Sequence, residues 1–113
     1  MRTFSTGATR DRDEDKLDFE GFLSQEVLYG FAEYMHRHRV QADGSLRPSD
    51  NWQKGIPVEE YMKSMFRHFM EAWRLHRRIT RGETIDMNAL LDALYGIMFN
   101  VQGYLFEKKI RRN

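Results

Sequence analysis

Residues 50–73 read DNWQKGIPVEEYMKSMFRHFMEAW, a loop of unusual composition that leads into a long amphipathic run. Pro57 suits the first turn of a helix, where a missing N–H costs little. After it, apolar side chains recur at the i, i+3, i+4, i+7 spacing of one helix face: Val58, Tyr61, Met62, Met65, Phe66, Phe69, Met70 and Trp73. The stretch therefore predicts a helix over residues 58–78.

Two more helices are predicted on either side of this one. Ser24 is a good N-cap for a helix over residues 24–39, and Asp86 for one over residues 86–110. The last helix carries a main apolar stripe: Met87, Leu90, Leu91, Leu94, Met98, Val101 and Leu105. Its opposite face aligns Ala89, Gly96 and Gly103. Interior glycines cost about 1 kcal/mol each, so close approach of a helix or of a flat ligand is expected there.

Composition bounds the class of protein. The 113 residues make one small domain, 1–113, and the fold class is all-α, a small helical bundle. Residues 1–20 show no periodicity and are expected to form a flexible or solvated arm. The broad apolar faces predict a homo-oligomer, a dimer or tetramer.

Charge and cysteine content narrow the partners. Eighteen Lys and Arg against 17 Asp and Glu give no basic field that would favour nucleic acid. The absence of cysteine excludes disulfides, thiolate metal sites and a Cys nucleophile, and it suits a reducing compartment. No apolar run resembles a signal peptide or is long enough for a bilayer. We therefore expect a cytoplasmic protein with no membrane partner.

The segment from Val40 to Pro57 is long for a loop without a function. Asn51, Trp52 and Lys54 are compatible with two interpretations: a loop that binds phosphate or a base, or a surface loop in which Trp52 packs into the core. His38 falls within the apolar stripe of the first helix, where a packed, hydrogen-bonded histidine is commoner than a ligand-binding one.

An ordered set of motifs resembles one family. The motifs are Gly7-Ala8-Thr9-Arg10-Asp11, Lys16-Leu17-Asp18-Phe19-Glu20, Asn51-Trp52-Gln53-Lys54-Gly55-Ile56-Pro57, Arg67-His68 with Trp73, and Gly82-Glu83-x-x-Asp86. Together they are similar to the small dATP/dGTP diphosphohydrolases of tailed phages and some bacteria, which resemble the MazG-like all-α nucleoside triphosphate pyrophosphohydrolases. The implied activity is metal-dependent hydrolysis of a purine (deoxy)nucleoside triphosphate to its monophosphate and pyrophosphate, in the host cytoplasm if the protein is phage-encoded.

The resemblance also implies a Mg²⁺ or Mn²⁺ site built from helix side chains. The Glu-Glu-x-x-Glu and Glu-x-x-Asp motifs of MazG-like enzymes are broken here, because Lys63 and Ala89 occupy two of the acidic positions. The candidate ligands are His68, Glu71 and Asp92, and Glu71 and Asp92 are also the candidate catalytic residues. Substrate binding is assigned to Lys54 and Arg67 for the phosphates, Trp52 for stacking on the base, and Asn51 or Asn100 for its edge.

A second hypothesis of a different class stays open. The chain could be a non-enzymatic helical interaction module or phage adaptor. Its basic residues would then contact a host protein or nucleic acid: Arg77, Arg78, Arg81 and the Lys108-Lys109-Ile110-Arg111-Arg112 tail. No recognisable nucleic-acid motif accompanies them. Release of pyrophosphate from dATP or dGTP separates the two hypotheses.

Overall fold

The computed structural model describes residues 2–10 and 14–111, and the all-α prediction is confirmed. Asp11 of the first motif and Arg112 of the basic tail lie outside the described residues. The helices are α1 Phe19–Phe22, α2 Gln25–Arg37, α3 Val58–Thr80 and α4 Met87–Phe106. A 3₁₀ turn spans Asn51–Lys54, and a π-helical turn, Glu107–Arg111, continues α4. An exposed antiparallel pair, β1 Arg2–Thr3 and β2 Thr9–Arg10, stands outside the core.

The predicted helix starts are confirmed by their caps. Ser24 Oγ accepts from the Val27 N–H at 3.1 Å, and Asp86 Oδ1 accepts from the Asn88 N–H at 3.0 Å. These side chains satisfy N–H groups that the helix itself leaves unpaired. Between α3 and α4 the backbone reverses at Gly82, whose φ of +82° lies in the left-handed region that glycine tolerates. The β1–β2 hairpin and α1 were not predicted, because both are too short to show a period.

α3 and α4 pack as an antiparallel pair through the small residues of α4. Gly96 faces the ring of His68, and Gly103 faces the ring of Tyr61, so neither position has space for a Cβ. Between them Asn100 Nδ2 donates to Ser64 Oγ at 3.2 Å. As the residue numbers of these contacts increase along α4, those of their partners decrease along α3, which shows that the two helices are antiparallel. The glycine-mediated helix contact, one of the two alternatives for this face, is the one the structure adopts.

The apolar stripes of α3 and α4 do not form the core of this chain. Packing buries Tyr61, Ala72 and Leu75 on α3, and Ala93, Gly96, Asn100 and Gly103 on α4. The large apolar side chains stand outside this seam. We call them the α3 stripe (Met62, Phe66, Phe69, Met70, Trp73) and the α4 stripe (Met87, Leu91, Leu94, Val101, Leu105); every member is between 37% and 63% exposed. No further layer of helices among residues 2–10 and 14–111 covers them.

α2 packs on another side of α4, which therefore lies between α2 and α3. The rings of Phe31 and Tyr34 each lie 6.1 Å from that of Tyr95. The described residues of the N-terminal arm, 2–10 and 14–20, are exposed. Leu17 on the arm is 72% exposed, and Phe22 at the end of α1 is 78% exposed. Within residues 2–10 and 14–111, no helix combines the length and apolarity needed to cross a bilayer.

Candidate ligand-binding cavity

A cavity of about 670 Å³ opens between α2, the segment that follows it, and the α3–α4 pair. Its floor includes Ser64 and His68 of α3 with Phe99 and Gln102 of α4, and its far wall is the segment from His38 to Ile56. The volume falls within the range of small-molecule sites, about 300–1,000 Å³. The long loop thus has a place in the molecule: it encloses a cavity that the helices alone would leave open.

Aromatic side chains form one part of the lining, and the ring of Trp52 is the central one. It stands edge-on to Phe106 at 5.0 Å and to Phe99 at 6.4 Å, which fixes its plane. The rings that line the cavity come from three elements: Phe31, Tyr34, Trp52 and Phe99. Rings held this way offer flat apolar surface to a planar ligand.

Positive or protonatable side chains form the other part: His36, His38, Arg39, Arg47 and His68. Arg39 Nε donates to Arg47 O at 2.8 Å, and the Arg47 N–H donates to Arg39 O at 2.9 Å, so the two arginines face each other across a hairpin-like loop. Among the described residues that line the cavity, none is an Asp or Glu. The lining therefore favours an anionic ligand that also carries a flat ring.

Histidine chemistry in the cavity is set by burial. His38 packs its ring 4.1 Å from that of Tyr34, and its Nδ1 lies 2.8 Å from Tyr34 O, so this nitrogen carries the proton and donates. Burial, together with the charges of Arg67 and His38, lowers the pKa of His68 below its ordinary value. His68 is consequently neutral at pH 7 and able to accept a proton.

The lowered pKa of His68 predicts an acid-sensitive fold. In the unfolded chain His68 takes up a proton near its ordinary pKa of 6.5, before the folded chain does. The stability it contributes is thus complete above pH 6.5 and is lost as pH falls through the lower folded-state value. We expect His68→Gln to reduce the loss of unfolding free energy between neutral and mildly acid pH, measured by urea titration with a chelator present. His76→Gln, an exposed position on the same helix, is the control, and equal pH slopes in wild type and His68→Gln would contradict the assignment.

The structure separates the predicted substrate-binding residues into three groups. Asn51 and Trp52 line the cavity, as the ligand-binding interpretation requires. Lys54 and Arg67 are exposed and are not among the lining residues. Asn100 is 1% exposed, and its Nδ2 donates to Gly96 O at 2.7 Å as well as to Ser64 Oγ. That amide is committed to the seam, so its place is in the helix pairing and not at the edge of a base.

The three predicted metal ligands do not meet. Both nitrogens of the Arg37 fork donate to Asp92, at 3.0 and 3.3 Å, and this contact lowers the pKa of Asp92. Glu71 accepts from both Nε and Nη2 of Arg74, at 3.1 and 2.7 Å. In the part of the chain that the structure describes, no group of three or more His, Asp or Glu side chains could hold a metal ion. His68, Glu71 and Asp92 in this arrangement therefore do not fit Mg²⁺ or Mn²⁺, which need several converging oxygen ligands.

The comparisons add no relative. No family model, no curated protein and no solved structure matches this chain.

Several cavity residues were not predicted, above all Arg39, Arg47, Phe99 and Gln102. The sequence held one usable signal, the length of the Val40–Pro57 segment, which contains Arg47 and directly follows Arg39. Phe99 and Gln102 gave none, because they occupy ordinary helix positions and reach the cavity only through the pairing of α4 with α2 and α3.

Proposed function

We propose that this protein binds a purine (deoxy)nucleoside triphosphate in the cavity and hydrolyses it to the monophosphate and pyrophosphate. The observation that carries the binding part is the lining: aromatic rings beside two arginines and three histidines, with no lining Asp or Glu among the described residues. The base stacks against Trp52, with Asn51 beside it, and Arg39 and Arg47 receive the phosphates. Arginine suits this role because its planar fork pairs with two phosphate oxygens at once.

The hydrolysis part rests on the sequence resemblance. Mg²⁺ or Mn²⁺, where such an ion is bound, would polarise the phosphate and activate water. Because the predicted ligands do not converge in one chain, no step is assigned to an ion here. His68 is a neutral imidazole in the cavity wall, a group able to accept a proton from an attacking water.

The same proposal includes a second copy of the chain on the α3 and α4 stripes. Aromatic side chains bury about 150–250 Å² each. Ten large apolar side chains that are roughly half exposed therefore leave on the order of 800 Å² uncovered. A stable interface buries about 800 Å² per partner. A second copy of the chain that packs against these side chains would make them part of the core of a larger helical bundle.

Arg47→Gln is the test of the binding site. Its backbone carbonyl still accepts from Arg39, so the loop keeps its anchor while one charge leaves the cavity. A charge-assisted hydrogen bond contributes about 1.5–3 kcal/mol, so the affinity for dATP or dGTP should fall by about one to two decades. Titration calorimetry measures this, and Lys54→Gln, a charge removed from the same segment outside the cavity, should leave the affinity nearly unchanged.

Three outcomes separate the hypotheses. If Arg47→Gln keeps its affinity for the nucleotide and Lys54→Gln loses it, the phosphates bind at the 3₁₀ turn and not in the cavity. Pyrophosphate release from dATP or dGTP with Mg²⁺ or Mn²⁺ tests the hydrolysis part directly. Absence of both binding and turnover would favour the interaction module, although one residue of its basic tail, Arg111, is already engaged by Glu107.

A further inference from the structure

Glu107 is a buried charge in an unexpected place. It is 0% exposed and is the first residue of the π-helical turn at the end of α4. Burying a carboxylate is costly unless hydrogen bonds and an opposite charge compensate. π-helical turns are rare and occur frequently at functional sites. A buried carboxylate at such a turn therefore indicates a role beyond helix capping.

Both carboxylate oxygens of Glu107 are engaged, and they bind different parts of the chain. Oε1 accepts from the Ile56 N–H at 2.8 Å, 51 residues away in sequence. Oε2 accepts from Arg111 Nε at 2.9 Å, within the π-helical turn. The guanidinium of Arg111 in turn lies against Gly55, where an added Cβ would come within 2.7 Å of Nη2. Gly55 and Ile56 are thus clasped between Glu107 and Arg111.

The clasped residues are the end of the cavity segment. Ile56 lines the cavity, and Trp52 and Asn51 precede it by one 3₁₀ turn. Trp52 rests on Phe106, the residue directly before Glu107. Gly55 has a φ of +122°, a conformation open to glycine, which lets the backbone bend toward the carboxylate. Glu107 therefore anchors the backbone four residues after Trp52, the ring that lines the cavity.

We propose that Glu107 is a positioning residue that, with Arg111, holds Gly55–Ile56 on the end of α4 and so fixes Trp52 and Asn51 in the cavity wall. The ligand part of this proposal rests on the proposed function, whereas the positioning part does not. Without the clasp, residues 51–56 sample arrangements in which Trp52 leaves the wall. The apparent dissociation constant then rises in proportion to the lost fraction of competent molecules.

The test uses Trp52 as its own reporter. In a Trp73→Phe background Trp52 is the remaining tryptophan, and Phe preserves an apolar ring on the α3 stripe. Glu107→Gln keeps the size and one acceptor but loses the charge that holds Arg111. Without nucleotide, the acrylamide quenching constant of Trp52 fluorescence should rise clearly in Glu107→Gln and rise further in Glu107→Ala. Nucleotide binding should weaken by about tenfold if the competent fraction falls to about a tenth.

Matched variants make the outcomes decisive. Lys108→Gln changes a neighbouring exposed charge on the same turn and should leave both quenching and affinity unchanged. Arg111→Gln should reproduce part of the effect of Glu107→Gln. Unchanged Trp52 quenching in a Glu107→Gln protein with wild-type circular dichroism would overturn the proposal. If the parent protein binds no nucleotide, the proposed function fails, and the quenching comparison still decides the positioning role.

Discussion

Gly103→Ala is expected to lower the free energy of unfolding, although alanine is the better helix former. The new methyl group would land on the ring of Tyr61, a side chain that is 2% exposed and enclosed. Overpacking of this kind costs about 1–3 kcal/mol, against a gain of about 1 kcal/mol in helix propensity. Gly103→Leu should prevent α3 and α4 from pairing at all. Urea unfolding followed by circular dichroism measures both.

The contact can be isolated with a second substitution. Tyr61→Leu removes the ring, so it should recover part of the loss in Gly103→Ala, and a double-mutant cycle gives the coupling. Gln102→Ala, at the exposed neighbouring position, controls for the effect of alanine itself. A Gly103→Ala protein as stable as wild type would mean that the seam is not packed as described. The Tyr61 hydroxyl is buried with no hydrogen-bond partner among the described residues, so Tyr61→Leu also removes an unsatisfied polar group, and the double-mutant cycle separates that effect from the contact with Gly103.

Phe66→Asp is expected to convert the proposed dimer to a monomer. Phe66 is 63% exposed in one chain and lies within the α3 stripe, so a second copy would bury it. Losing an aromatic anchor and burying a charge costs about 2–4 kcal/mol or more, which corresponds to roughly 30- to 1,000-fold in the dimer dissociation constant. Sedimentation velocity at micromolar concentration reads the change directly.

The control for this substitution lies three residues earlier. Lys63→Asp introduces the same carboxylate at an exposed polar position and should leave the assembly intact. Circular dichroism of Phe66→Asp should remain helical, because the α3–α4 seam does not contain this side chain. A wild-type chain that sediments as a monomer would contradict the proposal of a second copy. The stripes would then have to be covered by another partner or by the chain's own exposed arm.

Local chemistry made the helices predictable from the sequence. Ser24, Asp86 and Pro57 mark starts that the structure reproduces within a residue, because capping depends on neighbours in sequence. Which face each helix buries was harder to predict. Periodicity identifies an apolar stripe but not what covers it, and here Gly96 and Gly103 admit His68 and Tyr61 so closely that the seam forms without the stripes.

The loop part of the candidate site could be predicted from the sequence, and its long-range side-chain pairings could not. Trp52 and Asn51 stand out by residue type in a loop that is too long to be a plain connection. Asp92 and Glu71 looked equally suitable, yet each is held by an arginine, Arg37 and Arg74 respectively. Arg37 lies 55 residues from Asp92 in sequence, and no spacing rule connects them. Pairings of that range depend on how α2 meets α4, which a single sequence does not encode locally.

The division of the cavity between a loop and a helix pair has an evolutionary consequence. Arg39 and Arg47 lie at the two ends of a turn closed by the Val40–Leu46 bridge, while the floor is built on α3 and α4. Insertions or exchanges within the exposed residues 41–45 can shift these two arginines without repacking a helix contact. If the cavity binds the proposed ligand, variation of this loop alone can change which ligand is bound, while the glycine seam between α3 and α4 keeps its packing.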